Sequence, residues 1–339
     1  MSKKVALVIL NYNGVKFLEK FLPNVIAYSS DAADIYVADN CSTDGSVELL
    51  EEKFPDVNII LNEFNGGFAT GYNQSLKNID ADYFILLNSD IEVTPDWINP
   101  VIKLMESDKS IAACQPKIRS YNNKTEFEYA GAAGGYIDRY GYPFCRGRLF
   151  LSLEEDHNQY DDALEVFWAT GACMFVRSDV FRELDGFDDD FFAHMEEIDF
   201  CWRSKSLGYK IMVCPQSIVY HVGGGTLPVG SAWKTYLNFR NNFVLLYKNL
   251  PQSQLYKVLI SRLFLDGLAG IKFLVQGGFS DMIAVIRAHI YFYRNFSKIK
   301  SKRNKTVRKQ VGEIYNGNIV IDHYLLRKKR FSDLKGSFT

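Results

Sequence analysis

No stretch of this 339-residue chain approaches the roughly 18 consecutive apolar residues that a membrane-spanning helix needs. The longest charge-free run, Ile211 to Trp233, is interrupted by Pro215, Pro228 and a Gly triplet. The six cysteines (Cys41, Cys114, Cys145, Cys173, Cys201, Cys214) form no CxxC or other metal spacing. Most lie in apolar or strand-like runs, as small buried residues of a reducing compartment do, so disulfides are not expected. The opening "MSKKVALVILNYNG" is basic, but its apolar run is too short for a signal-peptide core and no small-residue cleavage site follows. A formal net charge of -1 gives no global case for a nucleic-acid partner. These absences point to a cytoplasmic protein that does not cross a membrane.

Two phosphate cradles are also missing. A dinucleotide-binding sheet places GxGxxG after its first strand, and a P-loop needs GxxxxGK[ST]. Here the first strand ends "NYNG", with a single glycine, and no Arg/Lys-bearing Gly-rich loop of a nucleotidyltransferase follows. Any nucleotide must be held another way.

What is present is an alternation of two periods. "VALVILNY" (5–12), "DIYVADN" (34–40), "VNIILNE" (57–63) and "YFILLNS" (83–89) read as buried strands. Helical spacing separates them over 15–28, 42–54 and 68–79. Near-continuous apolar strands alternating with helices predict a parallel sheet covered on both faces. The region 120–165, polar and rich in Gly and Tyr, reads as loops with short strands, and "MEEIDFCWRSKSLGY" (195–209) reads as a helix. From Ala232 the chain becomes helical: aromatic helices are expected over 232–250, 253–276 and 280–299. Domain boundaries are therefore expected at 1–230 and 231–339.

Polar residues collect at the carboxyl ends of all four strands: Asn11 and Asn13, Asp39 and Asn40, Asn62 and Asn65, Asn88 and Asp90. In a parallel sheet these ends share one edge, where open α/β sheets place their ligands. One polar strand end has a plain turn explanation. Four in succession predict a shared site.

"VILNYNG", "ADNCSTDGS", "NEFNGGFATGYN", "LLNSDIEV", "TGACMFVRSDVFRELDGFDDDFF" and "HMEEIDFCWR" occur in this order. Together they resemble the family-two inverting glycosyltransferases of GT-A fold, particularly the bacterial rhamnosyltransferase-like branch, over about residues 1–250. The resemblance implies a mostly parallel α/β sheet followed by a C-terminal helical region. It implies transfer of a sugar, rhamnose first, from a nucleoside-diphosphate sugar to a glycan or lipid-linked acceptor of bacterial surface polysaccharide. A non-catalytic nucleotide-sugar-binding or scaffolding subunit is the alternative.

Residue by residue, the resemblance makes Asp39 the acid that recognises the base, accepting N3–H of uracil or thymine. Asn11, Asn13, Asn40, Asn73 and Asn88 join it around the donor, and Gly66, Gly67 and Gly71 would admit the donor close to backbone. Asp44 either contacts the donor or caps the following helix. Asn88-Ser89-Asp90 matches the Asp-x-Asp metal triplet, with Asn88 in place of the first carboxylate. Asp90 would hold Mg²⁺ or Mn²⁺ against the diphosphate. His221 is either a further metal ligand, a hydrogen-bond donor to the diphosphate, or hydrogen-bonded structure. Glu197 matches the general base, with Glu196 the second choice, and Asp199 and Arg203 would form a supporting ion pair. The run Gly223-Gly224-Gly225 suggests a loop closing on the donor. Tyr72 stands where many relatives have Arg, which bears on donor identity.

Between Met282 and Gly312 there are nine Lys or Arg and no acid. Such a stretch is expected either to bind the anionic inner face of the cell membrane peripherally or to be solvated charge on a packed helical region.

Overall fold

The computed structural model describes residues 4–223, 231–334 and 338–339. The first half follows the expected alternation: β1 (Val5–Asn11), α1 (Val15–Ser29), β2 (Asp34–Asp39), α2 (Ser46–Lys53), β3 (Asn58–Leu61), α3 (Gly67–Leu76), β4 (Tyr83–Asn88), β5 (Ile91–Val93), α4 (Ile98–Ser107) and β6 (Ile111–Ser120). Short strands β7 (Gly135–Asp138), β8 (Pro143–Cys145), β9 (Arg148–Leu149) and β10 (Ser152–Leu153) fill the Gly- and Tyr-rich region. Next come β11 (Leu164–Val166), β12 (Cys173–Arg177), α5 (Ser178–Glu183), α6 (Glu196–Leu207) and β13 (Lys210–His221). The chain ends in α7 (Ala232–Asn249), α8 (Gln252–Val275), α9 (Phe279–Arg294), α10 (Phe296–Lys305) and β14 (Ile314–Tyr315).

The central sheet runs β11-β13-β6-β12-β4-β1-β2-β3, with β5 against β13. β4, β1, β2 and β3 are parallel, as are β13 and β6, whereas β12 enters antiparallel between β4 and β6. Side chains alternate across each strand. Val5, Leu7 and Ile9 of β1 join a core with α1, α2 and α4, while Ala6 and Val8 join one with α3, α6 and α7. Both faces are thus covered, which is why β1 and β4 carry almost no polar residue before their ends. Register then aligns those ends: Asn11 pairs with Asp39 and Leu10 with Asn88.

No helix among the described residues is long and apolar enough to cross a membrane. The expected single helix over 280–299 is two helices. Asn295 breaks it with φ -104° and ψ 15°, its side-chain amide donating to the Tyr291 carbonyl at 2.9 Å.

The basic stretch is not a free solvated face throughout. Lys302 pairs with Asp188 and Asp190, and Lys298 with Asp190 at 2.6 Å. Arg303 is buried and donates to the carbonyls of Tyr247 and Leu250. α10 therefore straps down the turn that precedes α6.

Candidate active site

The sheet edge carries a tied polar network. Asn11 is fully buried and donates to Asp39 Oδ1 at 3.0 Å and to Ser42 Oγ at 3.2 Å. The other Asp39 oxygen accepts the Ser42 backbone N–H at 2.7 Å. Asn13, in the left-handed region at φ 50°, accepts from Thr43 N–H and donates its own N–H to Ser42 Oγ. Asn40 donates to Asn65 and to the Gly67 carbonyl, and accepts from Asn62. These contacts hold the β2–α2 and β3–α3 turns in register. Asp44 caps both α1 and α2, accepting from Val15 N–H at 2.9 Å and from Ser46. Burial pushes its carboxyl up, but those hydrogen bonds outweigh it and hold it low. The capping role is the one the geometry carries.

At the neighbouring strand ends, two side chains meet on one imidazole nitrogen. His221 Nε2 lies 3.1 Å from Asp90 Oδ1 and 3.4 Å from Asn88 Nδ2. Its other nitrogen lies 3.1 Å from Glu128 Oε2, off the hydrogen-bonding direction. Burial alone would lower the imidazole pKa, but the two carboxylates together raise it to about 10. His221 in turn holds the Asp90 carboxyl below its usual range against the effect of burial. Among the described residues, no three acidic, His or Cys side chains converge as a ready-made metal centre. The Asp90 carboxylate would suit Mg²⁺ or Mn²⁺ as a hard oxygen ligand; His221 could join it only as a neutral imidazole, a ligand that Mn²⁺ accepts more readily than Mg²⁺. Glu128 had no signal in the sequence, because it lies outside every quoted motif.

A third group lies on the turn into α6. Phe192, His194 and Met195 all have positive φ (64°, 68° and 74°), a concentration of strained backbone that needs outside support. Asn241 of α7 gives it, donating to the carbonyls of Phe191, Ala193 and His194, while Arg240 holds those of Asp190 and Phe191. On the other side the Phe192 carbonyl accepts from Phe68 and Ala69 at the start of α3. Glu196 and Glu197 then open α6. Glu196 is buried, and burial with the Glu197 charge beside it pushes its carboxyl well up. Glu197 is partly exposed, one of its oxygens has no protein partner, and burial raises it to about 7. His194 is kept neutral, lowered to about 4 by burial and by the Lys234 charge. The Glu128 charge acts on the same Lys234, whose own pKa burial lowers. Asp199 pairs with Arg203 at 2.7 Å, as expected, and also with Lys248 at 2.9 Å.

Several expected donor contacts are occupied by protein. Gly67, at φ 71°, has the Phe192 carbonyl where a Cβ would sit, and at Gly71 a Cβ would press on Leu10 and Asn40. At Gly66 a Cβ would meet Thr70. The helix tolerates Gly71 for close packing on the sheet. Asn73 binds the Phe187 backbone through both its amide atoms and also reaches Asp189. Tyr72 is fully buried, its hydroxyl on the Val8 and Leu87 carbonyls, so it says nothing about the donor. Of the Gly run, Gly224 and Gly225 lie outside the described residues.

Known proteins carry the same pattern. The model of the family described as "Glycosyl transferase family 2" matches residues 6–185. An N-acetylglucosaminyl-diphospho-decaprenol L-rhamnosyltransferase of Mycobacterium tuberculosis is 24% identical over 239 residues, covering 65% of this chain and 76% of its own. The crystal structure of S. aureus TarS 1-349 in complex with UDP-GlcNAc aligns with 99% of this chain and 95% of its own at TM-score 0.56 and 14% identity. GalNAc-T7 with UDP, GalNAc and Mn²⁺ aligns with 74% of this chain at TM-score 0.57 and 18% identity. This chain spans 48% of that one, about half its length. At such identities the two solved structures establish the GT-A fold alone.

Proposed function

This chain belongs to glycosyl transferase family 2 and moves a sugar; we propose that it does so from a pyrimidine nucleoside diphosphate, dTDP-rhamnose ahead of UDP-hexoses, with Glu197 as general base. The observation that carries the reading is the Glu197 carboxyl. It is raised to about 7, has an unpartnered oxygen, and stands at the start of α6 just after the strained turn that Asn241 holds. A base near neutral pKa is ionised in enough molecules to accept a proton and basic enough to take it.

In this reading the acceptor hydroxyl gives its proton to Glu197 as its oxygen bonds the anomeric carbon from the face opposite the diphosphate. The bond from that carbon to the diphosphate breaks, and configuration inverts. Asp39 accepts from the pyrimidine N3–H, a role supported by its place at the β2 end beside Asn11. Asn11, Asn13 and Asn40 shape the turns around it, and Asn88 faces the diphosphate. Asp90 and His221 would hold Mg²⁺ or Mn²⁺, which when bound neutralises charge on the leaving diphosphate. The acceptor is a glycan or lipid-linked glycan reached from the inner face of the cell membrane. Asn88 in the metal triplet favours the non-catalytic alternative, and the environment of Glu197 speaks for a working base.

A panel of nucleotide sugars incubated with the purified protein and Mn²⁺ tests the reading. Release of nucleoside diphosphate is expected from dTDP-rhamnose first and UDP-hexoses second. Turnover of a guanosine nucleotide sugar alone overturns the donor assignment.

A further inference from the structure

α8 is amphipathic in the wrong sense for a helix facing water. Its inward positions Leu255, Val258, Arg262, Asp266 and Gly270 include a buried ion pair: Arg262 is 2% and Asp266 0% exposed. Arg262 donates to Asp266 at 3.0 Å and to the Tyr140 carbonyl, and His289 of α9 lies 3.1 Å from the other Asp266 oxygen. The ion pair of this helix thus points into the protein. Its outward positions are apolar: Tyr256, Ile260, Phe264, Ile271 and Val275 are 59–81% exposed. α9 adds Ile286, Ile290 and Tyr293. Where α8 begins and α9 ends, Tyr256, Ile260, Leu263, Tyr293 and Phe296 line a groove of about 340 Å³ with Lys300 at its border. A water-facing surface of this kind is far more apolar than solubility alone would leave.

Charge decides what covers it. Between Gln252 and Gly312 the chain has only two acids, Asp266 and Asp281. Asp266 is buried in the ion pair, and Asp281 accepts from the Thr235 hydroxyl at 2.6 Å. The exposed charges on these helices are cations: Lys257, Lys272, Arg287, Arg294 and Lys300. A second copy laid on the same face would bring cations against cations. An anionic bilayer complements them, each basic residue near its surface adding to the attraction. A helix of 24 residues with this pattern lies in the interface, its apolar face at the boundary of headgroups and acyl chains.

We propose that the α8–α9 hairpin is a membrane seat, inserting its outer face into an anionic leaflet and taking a lipid acyl chain into the groove beside Lys300. The seat is distinct from the basic residues of α10 that pair with Asp188 and Asp190, and it does not depend on which sugar is transferred.

Flotation of the full chain with vesicles of phosphatidylglycerol and phosphatidylcholine tests it, against vesicles of phosphatidylcholine alone. The parent is expected to bind the anionic vesicles at least ten-fold more tightly, and less so as salt is raised. The double variant Ile260→Glu/Phe264→Glu should lose at least ten-fold in binding to the anionic vesicles. Both side chains are exposed, so its circular dichroism and donor hydrolysis should match the parent. Lys257→Glu/Lys272→Glu should weaken binding at low salt and converge on the parent at high salt. Equal binding to both kinds of vesicle, or undiminished binding by the first variant, overturns the proposal. So does a parent dimer in light scattering that this variant converts to monomer, since the face then belongs to a second copy. Loss of vesicle binding with hydrolysis intact separates the seat from the transferase reading.

Discussion

The side-chain amide of Asn241 donates to the His194 carbonyl at 2.7 Å, joining the C-terminal helical region to the turn that presents Glu197. The same nitrogen lies 2.9 Å from the carbonyls of Phe191 and Ala193. One amide therefore satisfies a turn in which three non-glycine residues are left-handed. Asn241 touches none of the reacting atoms in the proposed reaction, so it is a positioning residue.

Replacing Asn241 with Ala leaves those buried carbonyls short of a donor, at about 1–3 kcal/mol of stability. Beyond that loss, kcat should fall about ten-fold or more while the KM for donor changes little. A relaxed turn also hydrates Glu197, so the acidic limb of the pH–rate profile should move down toward the ordinary carboxylate range. An unmoved limb in a less stable protein would leave Asn241 with a purely structural role.

Glu197→Gln should lower kcat by ~10² or more with donor binding nearly intact. In the parent, the rate should fall as pH drops through about 7, because the base becomes protonated. Stability runs the opposite way. A carboxyl raised by burial binds its proton more tightly folded than unfolded, so the folded state loses stability as pH rises from the ordinary carboxylate range through about 7. The variant, which has no charge to bury, should therefore melt higher than the parent at pH 8. A parental turnover rate in the variant moves the assignment to Glu196.

The strands and their polar ends were legible because burial on both faces leaves β1 and β4 no room for polar residues until the edge. Asp39 and Asp90 could be singled out for the same reason, since a carboxylate at such an end is conspicuous, whereas Glu197, at the start of α6, was legible only through the family motif. What was not legible depends on long-range contact. Glu128 reaches His221 from a region with no period, and Asn241 reaches the α6 turn from a helix whose sequence reads as aromatic core. Gly71 and Tyr72 stand within a family motif, yet they serve the packing of α3 on the sheet. Sequence order gave no warning that β12 runs antiparallel between two strands of the earlier alternation.

Two basic residues of α10 should not tolerate charge reversal. Lys302→Glu would set a carboxylate against Asp188 and Asp190, and Arg303→Glu would bury one against the Tyr247 and Leu250 carbonyls. Breaking the largely buried Lys302 pair costs about 3–5 kcal/mol, and a carboxylate at 303 would be buried without a donor, so both variants should show clearly lowered melting temperatures. Lys300→Glu, at an exposed position without an acidic partner among the described residues, should not. Burial works against the Asp188 charge, but Lys248 and Lys302 hold its carboxyl well below the ordinary range. The stability it contributes is present above the unfolded value near 4 and is lost as pH falls through the folded one. Melting followed from pH 7 to pH 2 should therefore show a steep acid loss that Lys302→Ala reduces.

Asn88 gives the sharpest test of the metal. It stands 3.4 Å from the same His221 nitrogen that faces Asp90, where a second carboxylate would add a hard, charged ligand. With Asp90 the one carboxylate facing that nitrogen, a cation should bind weakly until a nucleoside diphosphate brings its own oxygens. Calorimetric titration of dTDP into the parent should show affinity enhanced by Mn²⁺, and chelation by EDTA should remove the enhancement. Asp90→Ala should abolish it, leaving the metal-free affinity in place. Asn88→Asp should do the reverse, binding Mn²⁺ about ten-fold or more tightly even without nucleotide, because two carboxylates then share one cation. A chain whose dTDP affinity is the same with and without Mn²⁺, in the parent and in both variants, holds no metal at this strand edge. The leaving diphosphate would then have to be stabilised by the protein's own cations.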